Sequence, residues 1–463
     1  MKAYATNNLL TLSTLIFFMG LAPLSQAAVP AEEAAKLGKE LTPIGAERAG
    51  NGKEGPLAIP EWTGDYSHIK MDDSDWLVEG YPDDDEILEL DKDNYQDYAE
   101  YLTEGQKALF KQYPDTYKME IYPSRRSAVF PERIYEETIK NASRAELDNN
   151  GHGIKGTIAG LPFPIPKSGY EVMWNHIARF RTTGFRGYVN RGVTTASGSY
   201  SLERTYFEIA YHFNNPNLTE KEINNKLLYV MAKTVAPASK VGEAALLHVP
   251  LDRVKEDTNL WVYNFGTRKV RRIGEVGYDE PFDGADGLMT HDQLDMFNGP
   301  MDRYQFKIIG KQEKFVSYNS YDVYSKDTKY DDLIRKGHIN QDIPRYELHR
   351  VWVVEATRLP DTSHVYSKRV FYLDEDSWLI LLQDMYDDRG EFWRTADTHA
   401  NVFYQIPLLG NPVQVHYDLQ SRRYVILNMT NEEKKPIVYN WFEPPSYFTT
   451  SKLKKFATTK QKL

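Results

Sequence analysis

The 463-residue chain contains no cysteine. That absence excludes thiol nucleophiles, CxxC redox chemistry, cysteine-ligated zinc or iron–sulfur centres, every disulfide framework and any anchor on a lipidated cysteine. Positive charge is not in excess either: 56 Lys and Arg stand against 66 Asp and Glu, a net charge of −10. Such a balance gives no electrostatic case for nucleic acid as a partner. Beyond residue 27 no apolar run approaches the ~20 residues that a membrane-spanning helix needs. HExxH, GxSxG and GxxxxGK[ST] are all missing from the sequence, which removes the commonest zinc-protease, hydrolase and P-loop signatures. His291-Asp292 is the nearest approach to a ligand cluster, and it lacks the three or four converging groups a metal site requires. No catalytic residue, metal or cofactor is assigned. The acids Asp384, Asp387 and Asp388 read as members of hairpin turns, where Asp is favoured.

What is abundant is aromatic side chain: 32 Tyr, 20 Phe and 8 Trp. Residues favoured in β-structure therefore dominate the apolar set. The N-terminus reads as a secretory signal, with Lys2 followed by the 13-residue apolar segment Leu9 to Leu21 and by Ser25-Gln26-Ala27. Cleavage after Ala27 would release a periplasmic chain with no lipid anchor. Residues 28–160 form a loop-rich and helical extension or lid. Its Asp72 to Asp93 stretch, with eleven acids and one Lys, reads as a solvated acidic loop.

Thr103 and Gln106 have capping-box spacing and predict a helix that Pro114 ends. A second helix is predicted from about Ser168, with Tyr170, Met173, Trp174, Ile177 and Phe180 at helical spacing. From residue 185 onward the pattern alternates with period two. Tyr200 to Tyr211, Leu227 to Ala232, Ala244 to His248, Tyr304 to Ile308, Arg350 to Ala356, Ser367 to Leu373, Trp378 to Met385 and Glu391 to Thr395 read as strands. Short turns such as Asp374-Glu375-Asp376-Ser377 make the arrangement an antiparallel meander. The reading for 161–450 is one large antiparallel β domain, and for 451–463 a basic, solvated tail.

A sheet of this kind can curl into a barrel or half-barrel around an apolar cavity. Trp261, Tyr263, Tyr304, Phe306, Trp352, Phe371, Trp378 and Trp393 lie in strand-like segments, and as a set they are the expected cavity lining. Arg268, Lys269, Arg271 and Arg272 place four cations in five positions. They are the expected basic rim, able to meet an anionic headgroup, partner or membrane surface.

Two blocks resemble a known family. One is the WVYNFGTRKVRRI run, Trp261 to Ile273, with Phe282 to Gly287 and Asp295 to Gly299. The other is Tyr346 to Ala356, then Lys368 to Trp378 and Asp384 to Trp393. Together with Leu41 to Asn51, Gly105 to Phe110, Gly160 to Pro166 and Trp174 to His176, they are similar to the bacterial domain-of-unknown-function family 1329. That family resembles outer-membrane lipoprotein-sorting proteins of the periplasmic lipoprotein-carrier (Lol) fold. The resemblance implies an α+β protein whose incomplete antiparallel β-barrel wraps over helices. It also implies a lipid-like ligand, and partners that include an outer-membrane-associated protein and a resistance-nodulation-division-type transporter. The expected function is a non-enzymatic periplasmic carrier for a hydrophobic ligand. An envelope lipid- or glycan-modifying hydrolase and a ligand-free structural adaptor are the alternatives.

Overall fold

The computed structural model describes residues 29–71, 77–274, 277–410 and 412–459. The expected signal segment, 1–27, lies outside the described residues. Sixteen strands join one sheet. Thirteen of them form its continuous body: β1 Gly184–Thr194, β2 Tyr200–Ala210, β3 Lys226–Ala236, β4 Ala244–Pro250, β5 Asn259–Asn264, β6 Lys269–Ile273, β7 Tyr304–Ser317, β8 Arg345–Arg358, β9 Lys368–Asp374, β10 Ile380–Tyr386, β11 Phe392–His399, β12 Val413–Asp418 and β13 Arg423–Met429. Across the sheet the order is β7-β8-β9-β10-β11-β12-β13-β1-β2-β3-β4-β5-β6, antiparallel at every step. β7 and β6 are its two ends and do not pair with each other among the described residues, so the sheet stays open. Leu88–Leu90, Met119–Ile121 and Val438–Tyr439 add short pairings at its margins.

The helices that matter are α1 Glu104–Gln112, α2 Glu132–Arg144, α3 Gly169–Ala178 and α4 Thr450–Thr458. Two of them start where the sequence sets them. Thr103 and Gln106 exchange capping-box hydrogen bonds of 2.9 and 3.2 Å, satisfying two amides that a helix start leaves orphaned. The Gln106 amide group also donates to the Phe315 carbonyl at 2.8 Å, which fastens α1 to β7. The Ser168 hydroxyl accepts from the Glu171 amide and opens α3.

Each half of the sheet is covered differently. α3 packs Met173, Trp174 and Ile177 against Phe306, Phe371, Trp378, Ile380 and Met385 of the β7–β10 half. A second cluster gathers Phe315, Tyr346 and Leu348, farther along β7 and β8, with Val415 and Tyr417 of β12. It is covered by Leu102, Leu109, Phe110, Tyr117 and Ile121 from the N-terminal segment. On the β1–β6 half, Tyr206, Tyr229, Met231, Leu246 and Tyr263 lie under Phe448, Leu453 and Phe456.

A buried ionic network also stitches the N-terminal segment to β8 and the 374–377 turn. Arg126 grips Asp376 through Nε at 2.8 Å and Nη2 at 2.7 Å. Arg345 bridges Asp84 at 2.6 Å and Glu347 at 2.8 Å. His349 lies between Glu347 at 3.2 Å and Asp374 at 3.3 Å. Burial opposes charge on His349, but the two flanking carboxylates override it and push its pKa up to about 10.

Three local expectations change. The tail is not solvated over its first part: Thr450–Thr458 is helical because Leu453 and Phe456 find an apolar sheet face to bury against. Asp84, inside the acidic stretch, is held by Arg125 and Arg345 rather than left in water. Asp384 lies within β10, not in the following turn, and is fully buried.

Candidate functional site

Among the described residues no α-helix covers the other face of β1–β5. Residues at every second position border a cavity of about 730 Å³, within the range of small-molecule and lipid sites. Its wall is built from Phe185 and Val189 of β1, Phe207 and Ile209 of β2, Leu228, Val230 and Ala232 of β3, Ala245 and Leu247 of β4, and Leu260 and Val262 of β5. The alternation follows from the strand pleat, which sends successive side chains to opposite faces. Along β3 the cavity positions are half-buried while Leu227, Tyr229 and Met231 are buried. These aliphatic side chains therefore touch open space instead of packed protein. Tyr278, Phe282, Leu294 and Leu408 close the opposite side.

The two ends of the cavity are polar. At the end where β1 and β3 begin and β4 finishes, Arg179 and Arg181 share Asp295, at 2.6 and 2.7 Å. Burial would raise the Asp295 pKa, but the two guanidiniums overcome that and hold it well below the usual carboxylate range. Arg253 lines the same end and hydrogen-bonds the main-chain and side-chain oxygens of Asn298. At the other end Glu203 takes Arg191 and Lys240. From Leu228 to Thr234, six residues along β3, the wall runs roughly 20 Å at ~3.3 Å per residue.

The eight aromatics expected to line a cavity are placed elsewhere. Trp261 and Tyr263 point to the opposite face and pack beneath α4. Tyr304, Phe306, Phe371 and Trp378 are buried in the core around α3, with Trp352 and Trp393 packed against its margin. Trp352 stacks on Trp378 at 6.0 Å. Trp393 carries the Arg394 guanidinium over its ring at 4.0 Å and lines a shallow surface pocket with Arg358 and Arg389. Thus the set is split between two cores, because the large rings fill solid interior and smaller aliphatics border the void.

The missed wall had a signal: Leu227 to Ala232 and Ala244 to Val249 are apolar at almost every position. A strand with two apolar faces has two things to cover. Arg179, Arg181 and Arg253 carried no comparable pattern.

Arg268, Lys269, Arg271 and Arg272 do sit together, at the β5–β6 turn and along the end strand β6. All four are exposed. His291-Asp292 is not a ligand cluster: Asp292 is paired with Arg369 and His364. His349, Asp374 and Asp376 converge closely enough to hold a metal ion. Their ligand atoms are already used, by Glu347, Ser377 and Arg126 among others. Among the described residues no helix is long and apolar enough to cross a membrane.

Comparison with known proteins agrees with the motif blocks. An uncharacterized protein of Pseudomonas aeruginosa is 42% identical over 438 residues, covering 94% of this chain and 95% of that one. Among solved structures, a DUF1329 family protein from Desulfovibrio piger aligns with 62% of this chain and 97% of its own, at 13% identity and a TM-score of 0.43. A LolA superfamily protein from Nitrosomonas europaea aligns with 62% of this chain and 99% of its own, at 14% identity and a TM-score of 0.37. The pattern of the family described as "protein of unknown function (DUF1329)" matches residues 89–454, from the N-terminal segment through the whole sheet and into α4. On that match and the Pseudomonas relative together, the chain belongs to the DUF1329 family.

Proposed function

We propose that this protein is a non-enzymatic carrier or binding protein for a hydrophobic, lipid-like ligand in the bacterial periplasm. One observation carries the reading: the aliphatic face of β1–β5 borders about 730 Å³ of unfilled space instead of another protein element. Apolar surface left uncovered costs ~25 cal/mol per Å² relative to burial. A ligand that covers Val230, Leu247 and Leu260 recovers that free energy, less the cost of ordering both partners. The signal-like segment at 1–27 supports export. Cleavage of that segment would leave the rest of the chain free to move between membranes.

The surface supports a membrane-facing end. Phe265 is 53% exposed and Val241 49%, and the Phe265 ring lies against Gly242, beside Val241. Arg268 and Lys269 flank this apolar tip, and Lys240 and Glu243 behind it line the cavity. The tip would rest on a leaflet, with the four basic residues on anionic headgroups.

The test is gentle purification from the periplasm, solvent extraction and mass spectrometry, with binding of the neutral dye N-phenyl-1-naphthylamine measured on the stripped protein. A stoichiometric amphiphile and saturable dye binding are expected. Empty preparations that also fail to bind the dye would sink the carrier reading and favour a ligand-free adaptor.

A further inference from the structure

The charge at the Asp295 end of the cavity is unbalanced. Three guanidiniums, Arg179, Arg181 and Arg253, meet there, and Asp295 is divided between the first two. Arg253 has no carboxylate within 4 Å among the described residues, only the two oxygens of Asn298. The buried Nε of Arg181 has no hydrogen-bond partner. Of the other acids on the wall, Asp292 is engaged by Arg369 and Glu203 by Arg191 and Lys240, and Glu243, Asp257 and Asp283 form no ion pair with Arg181 or Arg253 within 4 Å among the described residues. Arg253 is half-buried, and its side chain borders the void. Burial, with the nearby charge of Arg181, pulls its pKa down to about 10. An uncompensated buried cation is unfavourable and is normally met by an anion. Planar guanidinium groups suit the oxygens of carboxylate and phosphate.

We infer that the ligand is an amphiphile with an oxyanion head, which sits on Arg253 and Arg181 while its apolar body lies along the β2–β5 wall. This inference rests on the carrier reading and specifies its ligand class. It also fixes the orientation: the head lies at the Asp295 end, and the tail runs roughly 20 Å toward the Lys240 end, at ~3.3 Å per strand residue. The chemistry is common to fatty-acid-type and phosphate-ester heads.

The experiment displaces N-phenyl-1-naphthylamine from the stripped protein with dodecanoate and dodecyl phosphate, each below its micelle concentration, and with dodecan-1-ol below its solubility limit. At least about tenfold tighter binding of one or both anions than of the alcohol is expected, the equivalent of one charge-assisted hydrogen bond. Preference for dodecanoate identifies a carboxylate head, and preference for dodecyl phosphate a phosphate head. In Arg253→Met the anion affinity should fall to that of the alcohol, with Arg253→Lys retaining part of it. Equal affinity of the wild-type protein for anions and alcohol overturns the inference while leaving the carrier reading intact. A preference that survives Arg253→Met and disappears in Lys240→Met also overturns it, because the head would then lie at the other end. Failure of all three compounds and of the dye overturns the carrier reading itself. The wild-type comparison needs no variant to fold.

Discussion

Leu246 and Leu247 are adjacent in β4 and face different surroundings: Leu246 is fully buried beneath α4, while Leu247 borders the cavity and is only half-buried. This division separates stability from ligand binding on a single strand. Leu246→Ala should cost ~2–5 kcal/mol of unfolding free energy, the range for a fully packed leucine. Leu247→Ala should cost about 1 kcal/mol or less, since part of its surface is already open. It should nevertheless weaken N-phenyl-1-naphthylamine binding by roughly three- to tenfold. Denaturant unfolding and dye titration of both variants check this. Equal destabilisation by the two would mean that the cavity face is packed in solution.

A second expectation concerns two buried acids that lack cationic partners. Asp384 accepts hydrogen bonds from the Gly105 amide at 3.1 Å and the Thr395 hydroxyl at 3.0 Å. Burial outweighs these bonds and raises its pKa to about 6. Asp397 has no hydrogen-bond partner on either oxygen. Burial, helped by Asp384, raises it to about 7. Both folded pKa values exceed those of the unfolded chain, so between about pH 4 and 7 the folded state holds more protons. Stability contributed by the protonated forms is therefore present at low pH and lost as pH rises through 6 and 7. At about 1.4 kcal/mol per pH unit, the upper bound for Asp397 is about 4 kcal/mol. Unfolding midpoints measured from pH 5 to 8 should fall more steeply in the wild-type protein than in Asp397→Asn. Parallel profiles would show that Asp397 ionises freely in the fold.

The framework was legible where a local rule decided it. Capping spacing placed the start of α1, and helical spacing of apolar residues the start of α3, each to within a residue, and period-two alternation with short turns gave the antiparallel meander. Motif blocks gave the family. The cavity was not legible, because alternation says that a strand has two faces but not what covers each. Trp378 and Leu247 both occupy apolar strand-like runs. Only tertiary packing decides that the indole is enclosed around α3 while the leucine meets a void. The helical tail was hidden for a related reason. Lys452, Lys454 and Lys455 dominate its composition, while Leu453 and Phe456 supply the two contacts that order it.

The ionic network predicts how the N-terminal segment is held. Arg126 holds both oxygens of Asp376, and it also reaches Glu375 at 3.3 Å. Its side chain is 3% exposed. Arg126→Met would leave those buried carboxylates short of a cation, a loss of about 3–5 kcal/mol when one member of a buried pair is removed. The same variant should release the segment first, because Arg126 also donates to the carbonyls of Arg48 and Pro60. Hydrogen exchange should quicken around residues 46–62 before it quickens in β8. Uniform exchange throughout the chain would indicate that the segment and the sheet unfold together.

The exposed hairpin gives the last prediction. Arg271 and Arg272 lie on β6, at the end of the sheet and away from each core, and both are exposed. Arg272 donates to the Asn259 side chain, a surface contact. Reversing their charge therefore removes little packing, and the double variant Arg271→Glu/Arg272→Glu should melt within a few degrees of the wild-type protein. If the basic rim meets a membrane, each cation near an anionic leaflet contributes ~1 kcal/mol. Two reversals should then reduce binding to phosphatidylglycerol vesicles by at least about tenfold, with little change on neutral phosphatidylcholine. Raising salt should narrow the difference, since exposed charges are screened within about 10 Å at 0.1 M. Vesicle flotation across a salt series reads both effects. Unaltered binding to anionic vesicles would assign the four cations to protecting a free sheet edge from aggregation instead.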